Sequence, residues 1–194
     1  MASNIKEIGR CFFHELGHLV SRDLNREYFS GPDVEEIKIY PVNESLEKYT
    51  AFTKPVVPKN VQKAPTSILK LAQLLALDSY GCIFQSFYLG RPTFENLDNR
   101  YADCFRYGDD GSYDYRDLES RLRTNDLSSY IWTFKEKTIV HIGVLKDSKA
   151  IESFLELDPY NYLCNNGEEN YFVRISELRK DYSLFIKEIS KFYI

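Results

Sequence analysis

Chain breakers are scarce in this sequence. Nine glycines and seven prolines stand among 194 residues, 43% of which are hydrophobic. That balance predicts one compact domain, with no internal repeat, low-complexity stretch or dividing linker. Basic clusters are also missing: no run exceeds the pair Arg179 and Lys180, and the formal charge is −4. The electrostatic footprint of a nucleic-acid binder is therefore absent, and nucleic acid is not expected as a partner. No stretch approaches the ~18 to 20 apolar residues that span a bilayer. The nearest candidate, Leu71 to Leu89, is broken by Gln73, Asp78, Ser79 and Gln85, so it reads as a buried helix and no membrane insertion is expected. The opening "MASNIKE" lacks the basic start, apolar run and small-residue site of a signal peptide. Cys11, Cys82, Cys104 and Cys164 are scattered, with no CxxC spacing, which predicts reduced core thiols. A cytoplasmic chain is the expectation, and nothing in the composition sets its oligomeric state.

What is present is "CFFHELGHLV", residues 11 to 20. On an α-helix, positions four apart lie about 40° apart around the axis and one turn apart along it, so His14 and His18 can aim their imidazoles at one ion. Glu15 sits about 100° further round, suited to reach a water on the same ion as a general base. The simpler alternative is that both histidines are core residues. Against it, a helical wheel gathers Ile5, Ile8, Phe12, Leu16 and Leu19 on one stripe, nearly opposite the histidines. Gly17 adds to this, because a mid-helix glycine costs about 1 kcal/mol relative to alanine and marks a place where something must come close.

The remaining elements follow from periodicity and turn residues. A helix from Asn4 to about Arg26 ends before Ser30-Gly31-Pro32, and "EEIKIYP" and "KYTAFTKP" read as two strands. "KPVVPKNVQKAP" reads as a loop. An apolar helix capped by Thr66 or Ser67 runs to Phe87, and a short helix follows Pro92. "RYGDDGSYD" reads as a polar loop. Helices are expected over about 115 to 124, 128 to 145 and 148 to 156, and from Ser176 to Phe192, with a short strand in "NYFVRI". The fold class is α+β, mostly helical, with a short strand pair after the first helix. Its core covers about residues 5 to 125, with C-terminal helices over 126 to 194 packing on it.

Zinc in a hydrolase takes three protein ligands and keeps a position open, so the third ligand sorts the families. The metzincin pattern needs glycine at 21 and histidine at 24, where the chain has Ser21 and Leu24. Glu44, in "VNESLE", is the nearest counterpart of a thermolysin-like glutamate, and His141 is the remaining histidine.

"FHELGHLV", the extended "VEEIKIYP" and "YTAFTKP", the apolar "SYGCIFQSFYLG" and the glycine turn "GDDGSYD" follow one another over residues 5 to 125. In that order they resemble the peptidase domain of FtsH-type AAA proteases. The resemblance implies a zincin-like fold, Zn2+ held by His14, His18 and Asp114, and Glu15 as the base. "GCIFQSFYLG" lacks the paired glutamates common in that family's helix, and no G-x-x-x-x-G-K-[ST] loop is present. The resemblance therefore implies a stand-alone peptidase domain without the ATPase module. A second resemblance, to ImmA/IrrE-type metallopeptidases, rests on HELGH and on "ENLDNRYA", and implies Glu95 as the third ligand. Asp117 and Asp103 are further candidates. Asp114, ahead of "YRDLESRL", also has the character of a helix cap.

The function this predicts is zinc-dependent hydrolysis of peptide bonds in a peptide or protein substrate. The alternative is a non-catalytic interaction or regulatory domain on the same fold. The aromatic C-terminal third, including Tyr160, Tyr162, Tyr182, Phe185, Phe192 and Tyr193, would then offer a partner surface, although rings at helical spacing more often bury a helix.

Overall fold

A computed structural model describes residues 2–29, 33–42, 48–56, 79–90, 111–124, 154–165 and 170–190. Helix α1 spans Ala2–Phe29. It is followed by strands β1, Val34–Pro41, and β2, Tyr49–Pro55. Helices α2, Tyr80–Tyr88, and α3, Gly111–Thr124, come next. A single 3-10 turn over Pro159–Asn161 leads to β3, Leu163–Asn165, and β4, Tyr171–Val173. Helix α4, Ile175–Ser190, is the last element. The class is α+β, and no helix among the described residues is long and apolar enough to cross a membrane.

The strands form one antiparallel sheet in the order β2-β1-β4-β3. Alternation in β1 puts Ile37 and Ile39 on the buried face. A bulge between Val34 and Glu36 shifts the phase by one residue, so Val34 is buried as well. Register carries this face across the sheet. Ile37 pairs with Thr53, Ile39 with Ala51 and Pro41 with Tyr49, so Thr53 shares the face that meets α1.

Helix α1 is buried on more than one side. Ile8, Phe12, Leu16 and Leu19 of the expected stripe are buried, while Ile5 at its start is exposed. Cys11, Phe13, His14 and Glu15, off the stripe, are buried too. Both flanks are covered: Arg10 donates to the Tyr49 carbonyl of β2 at 2.8 Å, and α2 lies against α1 at Gly17. There an added Cβ would fall 2.2 Å from the Tyr80 carbonyl oxygen.

Helix α4 closes the core through Leu178, Tyr182 and Phe185, all buried at helical spacing. Phe185 stacks on Phe154 at 4.6 Å, and Phe154 meets Phe84 of α2 edge-on at 5.1 Å. Arg179 binds both oxygens of Asp23 at 3.0 and 2.7 Å and reaches Asp33 at 2.5 Å, tying α4 to α1 and to the start of β1. Tyr182 donates its hydroxyl to Asp23 as well. The C-terminal rings thus divide: Tyr162, Tyr182 and Phe185 are buried and Tyr160 is exposed.

Three features differ from the sequence expectations. The strand pair is half of a four-stranded sheet, because β3 and β4 come from the C-terminal third and join β1. Three-residue strands are too short to show alternation, which is why β3 left no signal. Helix α3 starts at Gly111, inside the stretch expected to be a loop. Helix α1 also continues to Phe29. The helices expected over 128 to 145 and after Pro92, and most of those over 66 to 87 and 148 to 156, lie outside the described residues.

Candidate metal centre

Helix α1 supplies two donors and α3 the third. His14 and His18, one turn apart, face α2 and α3, and their Nε2 atoms are 3.2 Å apart. Asp114, in the first turn of α3, places Oδ2 at 3.1 Å from His14 Nε2 and 3.2 Å from His18 Nε2. Three lone-pair atoms thus converge in a nearly equilateral triangle. A tetrahedral ion with bonds of about 2.0–2.1 Å spaces its ligand atoms about 3.3–3.4 Å apart, so the triangle is within about 0.3 Å of one face of that polyhedron. Among the described residues, His14, His18 and Asp114 form the group able to hold a metal ion. His14 is buried, while His18 and Asp114 are partly exposed, so the centre meets solvent on their side.

Gly81 of α2 gives an independent measure of fit. A Cβ there would lie 2.7 Å from His18 Nε2 and 3.1 Å from His14 Nε2. The glycine keeps clear the space next to the two nitrogens. Two imidazoles and a carboxylate with room beside them suit a divalent transition metal.

Hydrogen bonds hold the donors in place. Gln85 Oε1 lies 2.8 Å from His14 Nδ1. An amide oxygen only accepts, so this contact matches the tautomer with the proton on Nδ1, in which Nε2 turns its lone pair to the cluster. The Cys82 thiol lies 3.6 Å from Asp114 Oδ2, a weak donor contact. Burial alone would raise the Asp114 carboxyl. When no metal is bound and both imidazoles also carry a proton on Nε2, the charge of His18, hydrogen bonds from both histidines and the charge of His14 hold it instead well below the usual carboxylate range.

Glu15 lies on another side of α1. Only 3% exposed, it accepts a hydrogen bond from Thr53 Oγ1 at 2.5 Å across the α1–sheet interface. That contact engages Oε2 of the carboxylate.

The residues weighed as ligands therefore separate. Asp114 joins His14 and His18. It sits inside the first turn of α3, not at the cap position ahead of it. Its negative charge there is favourable near the positive end of the helix dipole. Asp117 is exposed and is not a member of the group. Glu44, Glu95, Asp103 and His141 lie outside the described residues. Sequence reasoning missed Gln85, Cys82 and Thr53, whose contacts span 71, 32 and 38 positions. Gly81 alone left a trace, as a glycine inside an apolar helix. The chain matches no protein-family model, no curated protein and no solved structure.

Proposed function

We propose that the chain is a zinc metallopeptidase with a zincin-like fold related to the FtsH-type peptidase domain. The observation that carries this reading is the convergence of His14 Nε2, His18 Nε2 and Asp114 Oδ2 within 3.1 to 3.2 Å of one another. Glu15 directly follows one of these ligands. A metal held only for structure would not require a buried carboxylate at that position. The third-ligand role goes to Asp114, as the FtsH-type resemblance implies.

When bound, zinc supplies Lewis-acid chemistry, making water nucleophilic near neutral pH and polarising a carbonyl oxygen. The chain's own residues do the rest. His14 and His18 present Nε2 from adjacent turns of one rigid helix, and Asp114 closes the triangle from α3. Glu15 takes a proton from the attacking water on the carboxylate oxygen that Thr53 does not engage, then passes it to the departing amine. Thr53 holds the other oxygen and so limits rotation of the carboxylate.

The test is Glu15→Gln, assayed on fluorescently labelled casein with zinc content measured in the same samples. General acid–base catalysis contributes about 10² to 10⁴-fold. Turnover should fall by that factor while zinc is retained. Equal turnover in variant and wild type contradicts the mechanism. A zinc-loaded wild type with no hydrolysis favours a non-catalytic domain on the same centre.

A further inference from the structure

One face of α2 serves the metal centre without donating a ligand. Gly81, Cys82 and Gln85 lie within one turn of each other, and each touches the cluster differently. Gly81 leaves the space beside both Nε2 atoms, Cys82 meets Asp114 Oδ2, and Gln85 meets His14 Nδ1. The Gln85 contact is the strongest in kind. At 2.8 Å, between residues 1% and 2% exposed, it is a buried bond that no water can replace without rearrangement.

We propose that Gln85 is a positioning residue that fixes the His14 tautomer, and that its neutral amide sets the metal affinity lower than a carboxylate there would. This rests on the metal-centre part of the reading above and not on peptidase activity. An imidazole without a partner at Nδ1 distributes its proton between its two nitrogens. The acceptor Gln85 Oε1 selects the Nδ1–H form, which is the one able to bind a metal through Nε2.

The choice of amide over carboxylate follows from charge. Asp114 already places one carboxylate in a site for a divalent cation, and Glu15 carries a second on the residue next to His14. A third carboxylate, buried at position 85, would lack a countercharge whenever the metal is away. It would also make the imidazole more basic and bind the metal more tightly. Glutamine keeps the orientation without that charge.

The probe is Zn2+ alone, its Kd measured by competition with a chromophoric chelator in wild type, Gln85→Leu, Gln85→Glu and His18→Ala. The second readout is the His14 tautomer in the metal-free protein, read from long-range proton–nitrogen NMR correlations. With three histidines in the chain, their ring signals are readily assigned by substitution. Wild type should show His14 protonated at Nδ1. Gln85→Leu should shift it toward the Nε2–H form and weaken zinc binding about 10 to 100-fold, the usual cost of losing such a partner. Gln85→Glu should bind more tightly than wild type, which also covers the case in which the leucine variant fails to fold, and equal or weaker binding there overturns the affinity part of the proposal. Zinc binding in Gln85→Leu within twofold of wild type overturns the proposal. So does weakened binding with an unchanged His14 tautomer, because the leucine would then act through packing. If His18→Ala binds zinc as wild type does, the metal-centre reading fails separately, and the NMR tautomer alone decides the role of Gln85.

Discussion

The carbonyl oxygen of Tyr80 stands 2.2 Å from where a Cβ on Gly17 would be, so α1 and α2 meet backbone to backbone beside the histidine pair. Alanine at 17 would gain about 1 kcal/mol of helix propensity. It would also drive a methyl group into the Tyr80 carbonyl and the Gly81 amide, and peptide atoms cannot swing aside as a side chain can. Overpacking costs about 1–3 kcal/mol, more against rigid atoms. Gly17→Ala should therefore lower Tm by about 2–8 °C in calorimetry. Gly9→Ala is the control, since its Cβ meets the hydroxyl end of Tyr88. A larger loss there than at Gly17 would contradict the close approach.

Gly81→Ala tests the space beside the ligands. The new Cβ would lie 2.7 Å from His18 Nε2, so the ring must turn away from the triangle. Zinc affinity should fall at least tenfold, and the melting temperature in excess chelator should change much less. Chelator competition and calorimetry measure the two quantities. Unchanged affinity would mean that the histidines do not use the room Gly81 leaves.

The clamp of Arg179 on Asp23 and Asp33 should matter for stability. Removing one partner of a buried ion pair costs about 3–5 kcal/mol. The Arg179 side chain is 24% exposed, and Arg26 approaches Asp23 at 3.6 Å. Both features place Arg179→Met nearer about 2–3 kcal/mol. A urea midpoint shifted by under about 0.5 kcal/mol would assign the closure of α4 to its rings alone.

The same cluster sets an acid limb. Burial would raise the Asp33 carboxyl, but the hydrogen bond from Arg179, the Val34 amide and the charges of Arg179 and Arg26 lower it overall. A carboxyl that ionises more readily in the folded chain leaves the unfolded chain with more bound protons as pH falls. Its stabilisation is therefore complete above the unfolded aspartate value of about 3.9 and is lost as pH falls through the lower folded value. Asp33→Asn should flatten the decline of Tm between about pH 5 and pH 3. A slope identical to wild type would show that Asp33 does not contribute.

The helix bearing HELGH, the strand pair after it and the apolar character of Tyr80 to Tyr88 were legible because each is a local pattern of period 3.6 or 2. Asp114 was reachable only through a resemblance: its glycine- and aspartate-rich surroundings signal a loop, whereas α3 begins at Gly111. Contacts that join distant segments left no periodic trace. Thr53 meets Glu15 only because the β1–β2 register places it beside Ile37 on the inner face. Gln85 meets His14 only because glycines at 17 and 81 let α1 and α2 come together. A strand at β4 was expected from "NYFVRI", whereas β3 was hidden by its three-residue length, and the pairing of β4 with β1 left no local signal.

Zinc affinity in Asp114→Asn beside wild type tests the three-ligand centre most directly. Asparagine keeps the size and the helix-start preference of aspartate but is a poor zinc ligand. Wild type should bind one zinc per chain, with a chelator lowering Tm and zinc restoring it by mass action. Asp114→Asn should bind at least 10²-fold more weakly while folding as wild type does in excess chelator. Zinc bound equally well by both proteins would contradict the centre formed by His14, His18 and Asp114.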